Sequence, residues 1–228
     1  MLETKKIGGD LYKHAKEELC KELKECLIKS NFGDYLMINH PLVHEPLYIE
    51  AANAHYNRSL LVKKKTLEEF YAEEKYGSWV FLHEKPYRLK AFDDLEDQLD
   101  SDGIVLNDRT RWNLLRSIWT NSENIWQNLD RWCEHFEQEN RNTIRLGMES
   151  EDLEAFHNLP PRITIYRGTQ KGKNPGLSYT LNKGKAQWFA ERFDNEPLVI
   201  ERIVEKEDCL WYLSNRGEDE IVIDPTIR

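Results

Sequence analysis

An α+β fold is predicted for this chain: a helical N-terminal region, residues 1–158, packed on a small β-sheet formed by residues 159–228, the two making one compact unit. Three observations predict it. Apolar residues recur at helical spacing through the first two thirds of the chain. The period changes to strand alternation after Pro160-Pro161. The sheet that follows is too small to bury its own core well, so the helices are expected to cover it.

The helices come first. From Asp10 to Ser30, Leu11, Ala15, Leu19, Leu23 and Leu27 recur every four residues and predict one amphipathic helix. Residues 31–58, with Gly33, Pro41 and Pro46, carry no assignable period. Thr66-Leu-Glu-Glu69 has capping-box spacing and predicts a helix that starts there and runs to about Tyr76. Asp100 to Gly103 reads as a loop. Trp112, Trp119 and Trp126 then recur every seven residues, with Leu115, Ile118, Ile125, Leu129, Trp132 and Phe136 on the same stripe. This predicts one bent helix, or two meeting at a second capping-box pattern, Thr120 to Glu123. The spacing favours a core over a ligand platform. Ser150 is expected to cap a short helix from Glu151 to His157.

The strands follow. Arg162–Tyr166, Gly176–Thr180, Pro197–Val204, Cys209–Leu213 and Glu218–Asp224 read as β, with a helix at Lys183–Phe193 and a turn at Ser214–Gly217.

Composition bounds the function. Seven Trp and 39% hydrophobic residues exclude a disordered chain. No apolar run approaches the ~20 residues of a membrane span, and the N-terminus lacks a signal-peptide core, so a cytoplasmic protein without a membrane partner is expected. The four cysteines have no C-x-x-C spacing, and Pro41 separates His40 from His44, so thiols rather than a metal site are expected. Residues 159–228 carry 11 basic and 11 acidic side chains, so the net charge of −9 falls on residues 1–158. That balance disfavours non-specific nucleic-acid binding.

Three short patterns in residues 159–228 carry chemistry. Tyr166-Arg167-Gly168 ends a predicted strand, where a guanidinium fork can hold a diphosphate and Gly168 lets a ligand approach the backbone. Ser178-Tyr179-Thr180 puts two hydroxyls on one strand face. Glu218-Asp219-Glu220 puts two carboxylates on one face of the last strand, ahead of the apolar Ile221-Val222-Ile223. Each alone is ordinary: a loop arginine, edge hydroxyls, a solvated acidic face. Their order is the signal.

In that order, ITIYRG at 163–168, LSYT at 177–180 with AQWFAERF at 186–193, and EDEIVI at 218–223 resemble the ADP-ribosyltransferase fold in its arginine–serine–glutamate class. The segment, with its Leu159-Pro160 lead-in, is also similar to short ADP-ribosyltransferase domains of bacteriophages and bacteria, some of them toxins or effectors. The resemblance covers residues 159–228 and implies a split β-sheet that binds NAD as a substrate. It implies that Arg167 binds the NAD diphosphate and that the Gly168 backbone meets the nicotinamide carboxamide. Ser178 holds the catalytic glutamate and the nicotinamide ribose, with Thr180 as its structural partner. Glu220 is the catalytic glutamate, and Glu218 handles the acceptor and points to arginine on a target protein. Trp211–Gly217 becomes the acceptor-recognition loop. Tyr179 replaces the usual small middle residue of the serine motif and should point away from the cleft. Tyr179, Trp188, Phe189 and Phe193 are the aromatic candidates for stacking on nicotinamide, core packing being the default for the last three.

The expected activity is mono-ADP-ribosylation of a protein, with nicotinamide released. Three alternatives stand beside it: an NAD glycohydrolase, an inactive binding module of the same fold, and an unrelated helical interaction protein whose working surface is the Trp stripe.

Overall fold

The computed structural model describes residues 17–31, 33–47, 52–173, 176–192, 196–214 and 217–227. It is an α+β protein with two antiparallel sheets. The chain divides into compact units at residues 1–102 and 103–228. Residues 103–158 therefore belong with the sheet that follows them, where a boundary at 158 was expected.

The first unit is not wholly helical. Helix α1 (Lys21–Glu25) leads into a three-stranded sheet of β1 (Leu27–Lys29), β2 (Leu36–His40) and β3 (Val43–Leu47). The helix expected to reach Ser30 thus stops at Glu25, because Leu27 pairs with Ile38 in a ladder; Leu11 and Ala15 lie outside the described residues. Helix α2 runs unbroken from Asn53 to Ala72. Thr66 lies within it, so the expected start there is wrong. Tyr56, Leu60 and Leu67, at helical spacing on both sides of that point, pack on a core of Leu19, Leu23, Ile38, Leu42 and Val43 and carry the helix through. Helices α3 (Tyr76–Phe81) and α4 (Arg88–Ser101) complete the unit, and α4 passes the expected loop start at Asp100 before Gly103 turns with φ +72°.

The second unit begins with α5 (Asp108–Asn121), capped by the Asn107 side chain on the Thr110 amide. A short 3-10 turn (Ile125–Asn128) and α6 (Leu129–Glu137) follow. The capping box expected at Thr120–Glu123 does not form. The Thr120 and Ser122 hydroxyls bond back to the carbonyls of Ser117 and Ile118, which serves the end of α5 instead. Helices α7 (Arg141–Arg145) and α8 (Ser150–Asn158) complete the helical layer, with Glu149 rather than Ser150 at the N-cap of α8.

Strands β4 (Arg162–Gln170), β5 (Ser178–Thr180), β6 (Pro197–Glu205), β7 (Cys209–Leu213) and β8 (Glu220–Ile223) form one antiparallel sheet in the order β6-β4-β5-β8-β7. Helix α9 (Lys183–Glu191), capped by Asn182, lies against β4. The helical layer and the sheet share an aromatic core. Trp112, Trp132, Phe136 and Trp211 are buried, and Trp211 of β7 meets Phe136 edge-on at 5.2 Å. Arg145 ties α7 to β7 through the carbonyls of Glu207 and Cys209. Among the described residues, no helix is long and apolar enough to cross a membrane.

Candidate functional site

The site forms where the sheet parts. β4 and β6 pair over nine residues, but β4 and β5 share one ladder pair, Tyr166 with Thr180. In the gap beside that pair, the Arg167 guanidinium donates from Nη1 to the Ser178 carbonyl. β4 continues to Gln170, so Arg167 sits within its strand rather than at the expected end. It reaches the cleft because the neighbouring ladder is missing. Its Nε is buried without a hydrogen-bond partner among the described residues. An orphan buried donor is costly, commonly ~1–3 kcal/mol, and marks a place where an acceptor is wanted. Burial pushes the Arg167 pKa down, opposed by the charges of Tyr179 and Glu220, and a guanidinium remains protonated at neutral pH.

Two glycines shape this corner for packing reasons. A Cβ on Gly168 would lie 1.9 Å from the Ala186 carbonyl oxygen and 2.6 Å from the Ala190 nitrogen, both in α9. Gly168 is therefore needed for α9 to lie on β4, a packing role beside its place in the pocket lining. Gly176, at φ +69°, closes on the Arg167 guanidinium; a Cβ there would sit 3.1 Å from Nη2.

Across β5, Ser178 and Thr180 face the cleft as the alternation requires. Ser178 Oγ donates to Glu220 Oε1 at 2.5 Å. Thr180 is buried; its hydroxyl donates to the Glu218 carbonyl and accepts from the Asn182 amide, locking the end of β5 to the segment before β8. Tyr179 is buried between these two residues in sequence, beneath the Arg202 guanidinium. It belongs to the core and also lines the pocket.

Glu218 and Glu220 both line the pocket, but not as alternate residues of one strand. β8 starts at Glu220, and Asp219 has φ +46°, so the strand begins two residues later than expected. The left-handed residue is an Asp, which tolerates that region better than most. It is held on both sides: Tyr212 Oη donates to its carboxylate at 2.8 Å, and its carbonyl accepts from the Leu181 amide. Burial, followed by that carboxylate, raises the Tyr212 pKa to about 12, so the phenol stays a donor. The loop ahead is pinned as well. Asp152 accepts from the Ser214 amide and hydroxyl while pairing with Arg116 at 2.9 Å, in a cluster where Arg116 and Asp152 are both buried. Trp211 to Leu213, expected in an acceptor loop, are buried residues of β7.

The pocket these groups share holds about 290 Å³, near the lower end for small-molecule sites. It is lined by Arg167, Gly168, Ser178, Thr180, Glu218 and Glu220, which brings all six anticipated site residues to one cavity. Its far wall was not anticipated. Trp119, Glu123 and Trp126, at the end of α5 and beyond its break, complete it. Trp119 belongs to the Trp stripe and is 2% exposed, yet its indole N–H donates to Glu220 Oε1 at 3.0 Å. Trp126 is exposed at 46%, because the helix breaks before it and turns it off the stripe. Of the aromatic candidates, Tyr179 and Phe189 line the pocket, Trp188 is exposed away from it, and Phe193 lies outside the described residues. Tyr166 lines it too.

Chemically, the pocket offers a partly buried cation, which suits an anionic group, and a carboxylate held by two donors. Such a carboxylate is preorganised to stabilise positive charge developing on a bound molecule. Comparison with protein-family models, with curated proteins and with solved structures returned no match to this chain.

Proposed function

We propose that the protein is an NAD-dependent mono-ADP-ribosyltransferase that modifies a target protein, with arginine as the acceptor. The observation that carries this reading is the convergence of Arg167, Ser178 and Glu220, from the three neighbouring strands β4, β5 and β8, on one pocket. The likeness of the three sequence motifs to the arginine–serine–glutamate class supplies the substrate. In this reading Arg167 takes the diphosphate of NAD, its orphan Nε included. Glu220 meets the nicotinamide ribose. Cleavage of the nicotinamide–ribose bond develops positive charge at the anomeric carbon, and the fixed carboxylate stabilises that charge more in the transition state than in the ground state. The bond's electrons leave with nicotinamide. Glu218, beside Glu220 in the pocket, orients the incoming guanidinium and accepts its proton as the new bond forms.

The test is nicotinamide release from NAD by the purified chain, with biotin-labelled NAD and cell lysate to identify modified residues by mass spectrometry. Glu220→Gln keeps the acceptor oxygen for Ser178 and Trp119 but removes the charge. Turnover should fall roughly 100- to 1000-fold, with the circular dichroism spectrum unchanged. Undiminished turnover defeats the assignment. Glu218→Gln should suppress protein modification more than NAD cleavage, and equal losses would remove the case for arginine.

A further inference from the structure

Glu220 Oε1 accepts from the sheet, through Ser178 Oγ, and from the helical layer, through the Trp119 indole. The second donor is packed among three aromatic rings. Trp119 meets Trp132 edge-on at 5.0 Å, Trp211 edge-on at 6.0 Å and Phe136 at 5.9 Å. Those three rings are themselves buried, so the indole has no room to turn about either of its side-chain torsions. Its one polar atom, a donor only, is the atom that leaves the aromatic core, and it lands on the carboxylate. Trp211, in the same core, gives its N–H to a backbone carbonyl, that of Ile144; Trp119 gives its own to a pocket side chain.

We infer that Trp119 is a positioning residue for Glu220: the aromatic core holds its indole N–H so that the carboxylate stays in the rotamer that meets the ligand. The inference rests on the reading of Glu220 as the catalytic carboxylate. It extends the site beyond the strand motifs, because a helix in residues 103–158 sets the glutamate's geometry from the opposite side to Ser178. A carboxylate on a strand end has several rotamers in water, and one donor leaves it a hinge. Two donors on the same oxygen, from separate elements, remove that freedom before the ligand arrives, which is where preorganisation acts.

Trp119→Phe deletes the donor and keeps a large ring in the core. For NAD cleavage, kcat should fall about 10- to 150-fold, the range of one hydrogen bond to a charged group. KM for NAD should change less than about threefold, because the diphosphate grip at Arg167 is untouched. A merely structural tryptophan would move KM and thermal stability together with kcat. A second measurement needs no change at position 119. In the ¹H–¹⁵N spectrum of the labelled full chain, seven indole signals are expected, one per Trp. The Trp119 signal, assigned through its backbone, should shift in Glu220→Gln, where the acceptor loses its charge, and stay in place in Glu218→Gln. Normal turnover by Trp119→Phe, or an indole signal indifferent to Glu220→Gln, overturns the inference while leaving an active wild type as an NAD enzyme. A wild type that releases no nicotinamide overturns the reading of Glu220, and the positioning role falls with it even if the indole signal shifts.

Discussion

Gly168→Ala separates two roles for one residue. The sequence motif points to a backbone that must admit a ligand; the fold points to a backbone that must admit a helix. A methyl group at 168 would stand 1.9 Å from the Ala186 oxygen, 2.6 Å from the Ala190 nitrogen and 2.8 Å from Phe189 Cβ. The first two are backbone atoms of α9, so no side-chain rotation relieves the clash. Contact at van der Waals distance needs at least ~3.4 Å between such atoms, and α9 must therefore move from β4 by well over an ångström. Overpacking of this kind costs typically 1–3 kcal/mol, with the upper end expected where backbone must shift. For a chain of this size each kcal/mol lowers Tm by about 2–4 °C, which gives a loss of roughly 5–12 °C. Gly217→Ala is the control: φ is +61° but nothing among the described residues lies within 4 Å of the added methyl, so backbone strain of ~1 kcal/mol is the expected cost. Thermal unfolding followed at 222 nm, with urea titration for the free energy, measures both. If Gly168→Ala melts with the wild type yet loses NAD cleavage, the helix-packing account is wrong and the ligand account is right.

The buried pair behind the loop predicts a second stability effect. Asp152→Ala leaves Arg116 buried without that partner and frees the Ser214 amide and hydroxyl, so a loss of about 3–5 kcal/mol in urea unfolding is expected; a change under 1 kcal/mol would refute the pinning. Asp224 predicts a pH effect. Burial works to raise its pKa, but the Thr226 hydroxyl and amide and the Arg141 guanidinium outweigh that and hold it below the ordinary 3.8. A carboxyl with a lowered folded value binds fewer protons folded than unfolded, so it stabilises the protein above pH 3.8 and loses that contribution as the pH falls through the folded value. The stability difference between wild type and Asp224→Asn should be constant from pH 7 to 5 and shrink below pH 4. A difference that grows on acidification would reverse the sign of the argument.

The motif residues were legible because strand alternation needs nothing from outside the strand. Ser178 and Thr180 face one cleft and Tyr179 the core, as a period of two demands. Glu218 reached the pocket for a different reason from the one its spacing suggests. It comes from the left-handed Asp219, whose conformation depends on Tyr212 and the Leu181 amide. Tertiary partners of that kind leave no local trace. Trp119 failed to declare itself for the opposite reason: its apolar ring obeys the core stripe, and periodicity is blind to where one indole hydrogen points. The helix break that swings Trp126 into the pocket had a visible cause in the hydroxyl-rich Thr120–Ser122, but a hydroxyl cluster that starts a helix and one that ends a helix look alike in sequence. The first unit was misread where local signals were decoys, as with Thr66 inside α2.

Ser178 explains why an arginine and a glutamate with opposite charges can share a pocket without consuming one another. Its carbonyl takes the Arg167 guanidinium and its hydroxyl takes the Glu220 carboxylate, so a single residue of β5 engages both. β4 and β8 lie on either side of β5, and two strand spacings separate them by ~10 Å. A direct salt bridge would neutralise both groups and leave neither for a ligand. Kept one strand apart, they present a cation and an anion to one pocket; under the proposed function the cation would face the diphosphate of NAD and the anion the carbon where positive charge develops. A serine serves at 178 because it offers a hydroxyl without bulk. Ser178→Ala should leave Glu220 Oε1 with the Trp119 donor and let it drift toward Arg167. That variant should lose kcat and also weaken NAD binding, where Trp119→Phe loses kcat alone. If the two variants give the same kinetic pattern, Ser178 does not keep the charges apart.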